Sequence, residues 1–362
     1  MIGPGAPERV LAVIPSPFLG GAELQTLQVA RGLAAMGAEV AVAAEARVLE
    51  AAGARLGPCR GIALPLRPLP ELGFAAAHRR QSAALAPFLA AWRPDAALVC
   101  CPLPSEAFGA LAALREAAVP SLAVAHLVRT DWRLSNSERA WLAGLNPGWA
   151  AVSAPSARRL ERLFGLHAGR VADLPNGLPP RAPAVADRAR FGLPEGVPLL
   201  VQPGRIEERK GAHLAPAIAA AIAPARLVLA GDGPLAEALS GTPGLDLLGW
   251  VEDMPALLAC ADAVLLASEH EGGVPLALQE AAWAGRPFLA SRAALEAWPE
   301  AEGKARLVLR DAADIARAFR ATLTDREGTA ARLDRAREAV AAWDEAAMIR
   351  RTAWLLAAEC AR

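Results

Sequence analysis

This 362-residue chain contains no tyrosine, and of its 38 basic residues only Lys210 and Lys304 are lysines. The bias is one of composition, and it makes each retained lysine a position to examine. An excess of either charge is also lacking, because Lys plus Arg and Asp plus Glu both number 38. A chain without a net field has no long-range attraction for nucleic acid or an anionic membrane, so any anion site must be built locally. The five cysteines include no Cys-x-x-Cys pair, which argues against a disulfide framework or a zinc site. No Asp/His cluster has metal-ligand spacing, and no metal is expected. No apolar run approaches the roughly 18 residues of a spanning helix. The opening MIGPGAPERV lacks the basic region and apolar core of a secretory signal. A reducing cytoplasm is the expected compartment.

What the chain does have is apolar substance, 54% against 21% charged. That suffices for well-buried cores, and the length suggests two domains at about 150 residues each. Residues 9–14 (RVLAVI) read as a buried strand. After SPFLGG comes AELQTLQVARGLAAMG, with Leu24, Leu27 and Leu33 on one helical face, and then a second strand, EVAVAAE. The same grammar returns about 190 residues later, as the strand PLLVQPG, the loop RIEERKG, the helix AHLAPAIAAAI and the strand ARLVLAGDG. Further short apolar runs, AALVCCP, PSLAVAH and GWAAVSAP upstream and LDLLGW, DAVLLAS, RPFLAS and ARLVL downstream, complete two sheets. The Pro-, Gly- and Arg-rich stretch 174–198 reads as a linker, and the tail from Ala331 as helical to near its end. The pattern predicts an α/β protein of two doubly wound domains, whose ligands collect at the loops that follow strands.

The loop GRIEERKG places Arg205 and Lys210 between a strand and the next helix. A guanidinium fork, an ammonium and helix amides suit two phosphates, while pairing with Glu207 and Glu208 would make an ordinary solvated loop. Gly231 in GDGP permits close backbone approach, to a ligand or simply within a tight turn. In SEHEGGVPLALQEAAWAG, Gly272, Gly273 and Val274 expose amides ahead of a helix for which Pro275 fits the first position. Glu271 reads most simply as a cap. Glu280, in the second turn, can accept from two vicinal hydroxyls such as a ribose offers. In the first half, Gly20 and Gly21 sit at a strand-to-helix turn and His126 ends the strand PSLAVAH, where cleft residues belong. Neither G-x-G-x-x-G nor G-x-S-x-G is present in a supporting context.

Taken in chain order, FLGGAELQTLQVARGLAAMGAEVAV, His126, VSAPSARRLERLFG, LPNGL, GRIEERKG, LVLAGDGP, LGWVEDMPALLACADAVLLAS and EGGVPLALQEAAWAGRPFLAS resemble the GT-B glycosyltransferases, and most of all the retaining family 4. The resemblance covers nearly the whole chain. It implies a GT-B fold of two Rossmann-like domains facing a central cleft. The acceptor-side domain would span 1–180 and the donor domain 181–345, with a C-terminal helix, 346–362, crossing back to the first. It implies that Arg205 and Lys210 hold the diphosphate of a UDP-, GDP- or ADP-sugar, Glu280 the ribose, and the Val251 backbone the base. Gly231 joins the donor-binding turns. His126 would lie near the donor sugar, and Gly20 and Gly21 near the phosphates. Catalysis in such enzymes is largely positioning and charge stabilisation, with no cofactor or obligatory metal. The acceptor would be a carbohydrate, a lipid-linked glycan or a small molecule. Peripheral contact with the inner face of the membrane stays open, and nucleic acid is not a partner.

One departure concerns Glu271 and Glu280. Family members place seven residues between the two acids, and here eight intervene. Aligning Pro275 and Glu280 puts Gly272 where the first acid belongs. Either the turn bulges and Glu271 still reaches the sugar, or the amides of Gly272, Gly273 and Val274 alone address it. The same features admit two other readings, a non-catalytic nucleotide-sugar binder and a GT-B sugar-nucleotide epimerase.

Overall fold

A computed structural model describes residues 7–179 and 184–362 of the chain. It divides into two compact units. The first runs to Gly177 and takes in Glu345–Arg362, and the second is Leu178–Asp344.

The sheet of the first unit comprises β1 (Arg9–Ile14), β2 (Glu39–Ala44), β3 (Arg60–Ala63), β4 (Ala96–Cys101), β5 (Ser121–Ala125), β6 (Gly148–Ala151) and β7 (Val171–Asp173). Every pairing is parallel, in the order β3-β2-β1-β4-β5-β6-β7. The order reverses between β1 and β4, which makes their carboxyl ends the switch point where ligands bind in doubly wound sheets. The central strands are continuous apolar runs because helices cover both faces, and β4 is buried at every residue. Two buried clusters, one on each side of the sheet, form the core. The edge strands β3 and β7 carry no apolar run. The sequence pattern therefore does not mark them, and they exist because a neighbouring strand offers its free edge.

The second unit repeats the plan with β8 (Leu199–Pro203), β9 (Arg226–Ala230), β10 (Leu245–Leu247), β11 (Ala263–Leu266), β12 (Phe288–Ser291) and β13 (Arg306–Val308). Its parallel order is β10-β9-β8-β11-β12-β13, again reversing at the first strand. The fold is thus α/β with two Rossmann-like doubly wound sheets. Among the described residues no helix is long and apolar enough to cross a membrane.

The units meet at Gly177/Leu178 and Asp344/Glu345, a few residues from the boundaries expected at 180/181 and 345/346. Leu178 bridges Asp344, and its N–H donates to the Trp343 carbonyl at 3.3 Å, which ties this backbone into the second unit. The tail forms two helices rather than one continuous one, Arg326–Ala341 and Glu345–Cys360. Trp343 lies in the break and packs edge-on against Trp298, their ring centroids 5.4 Å apart.

The last helix belongs to the first unit, where it packs on the helix Gly21–Ala35 and on β4 and β5. Two small residues admit it. A Cβ on Gly32 would come within 2.3 Å of the Ile349 side chain, and one on Gly148 within 2.5 Å of Glu359. Met348 Sδ, buried in the same seam, accepts from Gln25 Nε2 at 3.4 Å and from the Gly177 N–H at 3.3 Å. Overpacking of a tight contact costs about 1–3 kcal/mol, more than the roughly 1 kcal/mol that alanine contributes over glycine in a helix. Gly32→Ala should therefore lower the melting temperature, and Ile349→Ala in that background should recover part of the loss. Simple additivity in a calorimetric double-mutant cycle would show that Gly32 and Ile349 are not coupled.

Candidate functional site

At the carboxyl end of the second sheet three loops lie backbone against backbone. Gly231 has φ +150°, and a Cβ there would meet the Gly204 carbonyl at 2.1 Å. A Cβ on Gly233 would meet the Ile206 carbonyl at 2.3 Å, and one on Gly211 the Ala267 carbonyl at 2.7 Å. Hydrogen bonds from Gly204 N to Ala230 O (2.9 Å) and from Ile206 N to Asp232 O (3.0 Å) close the first of these contacts. Glycine at Gly231 is thus required by the neighbouring loop itself.

The loop after β8 carries Arg205, Arg209 and Lys210, with the last two in a short 3₁₀ turn, Glu208–Lys210. Gln202, buried at the end of β8, donates from Nε2 to the Lys210 carbonyl at 3.0 Å. Glu207 is shared, with Oε2 3.4 Å from Arg205 Nε and Oε1 2.6 Å from Arg209 Nη2. Part of the ordinary charge pairing considered for this loop is therefore present. Lys210 pairs elsewhere, its ammonium donating to the carboxylate of Glu271. Both side chains are largely enclosed, so loss of either would leave its partner without a counter-charge in a poorly solvated place.

Glu271 thus does not serve as a simple cap of the helix that follows. That helix is Leu276–Trp283, and Pro275 is its N-cap rather than its first residue. The turn Gly272, Gly273, Val274 is buried between the two. The loop is fastened from a third side by Arg310, which follows β13. Its Nε donates to Ala267 O at 2.8 Å, Nη1 to Glu269 Oε1 at 2.5 Å and Nη2 to Glu208 O at 3.0 Å. The Arg310 hydrogen bond holds the Glu269 carboxyl below the usual range.

Glu280 occupies the next helical turn and lines a separate small hollow with Leu178, Pro179, Ala184, Pro255, Trp283 and Ala284. Apart from its carboxylate this lining is mostly apolar. Val251 is half-buried against the core of the same unit, two residues before Asp253, which caps the helix Met254–Cys260 by accepting from Ala256 N at 3.2 Å.

In the first unit, the Gly20 N–H donates to Glu23 Oε2 at 2.8 Å, and Gly21 opens the helix Gly21–Ala35. His126 follows β5, with its backbone N–H on Cys101 O at 2.9 Å. The residue is 8% exposed, its Nε2 has no hydrogen-bond partner, and desolvation lowers its pKa to about 3, so it is neutral at physiological pH. Close to the β4 end of this sheet, burial pushes Glu106 up to about 7, aided by the charge of Glu23, although the Leu103 N–H bonds its carboxylate at 3.2 Å.

Two family models match this chain in consecutive segments, Glycosyltransferase Family 4 over residues 19–181 and Glycosyl transferases group 1 over residues 197–325. Between them they take in most of its length. The chain belongs to the group 1/family 4 glycosyltransferases of the GT-B fold. A curated relative of this family-4 chain, the lipopolysaccharide core biosynthesis glycosyltransferase LpsE of Rhizobium meliloti (strain 1021), is 30% identical over 149 residues. That match covers 38% of this chain and 43% of LpsE, less than half the length of either. Among solved structures, Anabaena HepE in complex with UDP-glucose superposes with a TM-score of 0.77 at 18% identity, covering 97% of this chain and 99% of that one. Sucrose-phosphate synthase from Thermosynechococcus elongatus gives 0.75 at 20% identity over 96% and 98%. WaaG, a glycosyltransferase involved in lipopolysaccharide biosynthesis, gives 0.72 at 17% over 96% and 99%. At these identities the structural likeness establishes the fold.

Of the residues singled out in this family-4 sequence, Lys210 and Glu271 are brought into direct contact, and Arg205 shares their loop system. Glu280 lies one helical turn beyond the glycine turn, lining its own hollow. Sequence reasoning missed Arg310 and Gln202, although each sits at or just beyond the end of a strand, the position that marked His126. It also missed Glu106, for which no sequence signal exists, since its burial comes from elements distant in the chain.

The raised pKa of Glu106 has a defined consequence. Between its ordinary value of 4.5 and about 7 the folded state binds the proton more tightly than the unfolded chain. Its contribution is complete below pH 4.5 and is lost as pH rises through 7. Urea titrations should show Glu106→Gln gaining stability relative to the wild type from pH 5 to pH 8. Parallel profiles would mean that this carboxyl ionises as it does in the unfolded chain.

Proposed function

We propose that the protein is a retaining, metal-independent glycosyltransferase that moves a sugar from a nucleotide-diphosphate sugar to an acceptor hydroxyl. The observation that carries this reading is the Lys210–Glu271 pair beside Arg205 at the carboxyl end of β8, in a chain of this family. Arg205 and Lys210 hold the diphosphate, with Glu271 keeping the ammonium in place and the Gly231 turn supporting the loop. Glu280 accepts from the ribose hydroxyls, the Val251 backbone meets the base, and the amides of Gly272, Gly273 and Val274 address the sugar. In the other unit, His126 acts as a neutral hydrogen-bonding group toward the donor sugar, and Gly20 and Gly21 give the phosphates close backbone approach.

The acceptor oxygen bonds to the anomeric carbon as the bond from that carbon to the phosphate oxygen breaks on the same face. The acceptor proton passes to the departing phosphate oxygen. The protein's contribution is positioning and stabilisation of charge growing on the diphosphate. UDP-sugar is the first donor to try, since HepE was solved with UDP-glucose. A glycan, free or lipid-linked, is the acceptor class, in keeping with the names of LpsE and WaaG.

A panel of UDP-, GDP- and ADP-sugars, assayed with and without EDTA, tests the proposal. Release of nucleoside diphosphate with retained anomeric configuration in the product is the expected result. Thermal stabilisation without turnover would make the protein a binder, and an isomerised donor would make it an epimerase. Each charge-assisted contact contributes about 1.5–3 kcal/mol, so Arg205→Ala and Lys210→Ala should each lower kcat/KM about 10- to 150-fold. Near wild-type values would remove both from the diphosphate site.

A further inference from the structure

Arg310 comes from a part of the chain 102 residues beyond Glu208, yet it reaches the loop that carries Lys210. Its own backbone is braced on both sides. The Leu309 N–H donates to Asp314 Oδ2 at 2.7 Å, and Asp311 caps the helix Ala312–Thr324, its Oδ1 accepting from the Asp314 N–H at 2.9 Å. The Leu309 hydrogen bond holds the Asp314 carboxyl below the usual range.

From this brace the guanidinium spans two other strand ends. Nε and Nη1 engage Ala267 O and Glu269 Oε1 on the turn after β11, and Nη2 engages Glu208 O at the start of the 3₁₀ turn Glu208–Lys210. Two of the three acceptors are main-chain carbonyls, so these bonds fix the backbone from which Lys210 projects on one side and Glu271 on the other. The Arg310 side chain is 24% exposed, which limits competition from water. Glu269 is 44% exposed, and an ion pair in such a place contributes little, so the carbonyl bonds matter more.

The same two segments are joined from within. The Glu269 N–H donates to Arg209 O at 2.9 Å, Arg209 Nη1 donates to His270 O at 3.2 Å, and Gly211 lies against the Ala267 carbonyl. Where the Lys210 ammonium meets the Glu271 carboxylate is therefore set by how the loop after β8 sits on the turn after β11. Arg310 holds the two together from outside both. In a site that acts by placing charge, a misplacement of about 1 Å costs on the order of 100-fold in rate.

We infer, on the reading that Arg205 and Lys210 hold the diphosphate, that Arg310 is a positioning residue for that site, acting through Lys210 and Glu271 and not through contact with the donor. A guanidinium suits the role because its donors form a rigid fork that meets acceptors on two segments at once. A lysine would bring one mobile ammonium to the same acceptors.

A double-mutant cycle on the full chain tests this, with nucleoside diphosphate release from UDP-, GDP- and ADP-glucose as the assay. Arg310→Ala should lower kcat/KM about 10- to 100-fold when Lys210 is present, and no more than about threefold further in the Lys210→Ala background. Arg310→Lys should recover part of the loss. Where Arg310→Ala brings the melting temperature into the assay range, Arg310→Lys carries the cycle in its place. Equal losses in the two backgrounds, or wild-type kinetics in the Arg310 variants, would overturn the positioning role alone. A wild-type protein that releases no nucleoside diphosphate would remove the transferase reading and this role with it. Hydrogen exchange of the ligand-free chain gives a readout without turnover. Arg310→Ala should speed exchange of the Glu269 amide about tenfold, since that N–H bonds across the two segments. Unchanged exchange there would show that Arg310 does not hold the segments together, whatever the kinetics.

Discussion

Backbone contact between loops at the carboxyl end of the second sheet is the constraint on which the candidate site rests. The chain after β8 lies against the chain after β9 and after β11 so closely that a methyl group at Gly211, Gly231 or Gly233 would overlap a carbonyl. Hydrogen bonds at about 3 Å across Gly204 and Ile206 hold these loops to one another rather than to solvent. A loop seated in this way has little freedom. It can present Arg205 and Lys210 in one geometry without ordering them anew for each ligand, which is what preorganised charge stabilisation requires.

The ion pairs follow from that seating. Lys210 can meet Glu271 only because the turn after β11 comes back over the loop after β8, with Arg310 tying both to a third strand end. The glycine turn, Gly272 to Val274, separates Glu271 from the helix that carries Glu280. Each acid is thereby left in its own setting, Glu271 on an ammonium and Glu280 beside an apolar hollow. Two carboxylates that look like a pair in the sequence therefore have separate partners. The first unit shows a different electrostatic regime at the corresponding strand ends. Desolvation keeps the His126 ring neutral, and it raises the Glu106 carboxyl toward neutrality near physiological pH.

Much of the fold was legible because buried parallel strands must be apolar along their whole length. The runs at β1, β4 and β8 stand out for that reason, and with the loops between them they led to two doubly wound sheets. The edge strands β3 and β7 escaped because an exposed edge makes no such demand. The break at 342–344 was hidden for a related reason, since alanine-rich sequence favours helix on both sides, whereas the contacts made in the break, of Asp344 with Leu178 and of Trp343 with Trp298, are with residues distant in the chain. For the site, the positions of the cations and glycines in strand-following loops could be read directly. Arg310 could not, because its role lies in three contacts to loops far away in the chain.

What the sequence alone determined was the alternation of strands and helices, the family, and which strand-following loops carry the cations, acids and glycines of the candidate site. Each of these depends on local composition and spacing, which need no knowledge of distant neighbours. Tertiary structure decided which charges meet. It placed Lys210 on Glu271 and Glu207 between two arginines, and it brought Arg310 onto Glu269. A charge acts across a few ångströms of space, and only the folded chain specifies which residues lie within that distance.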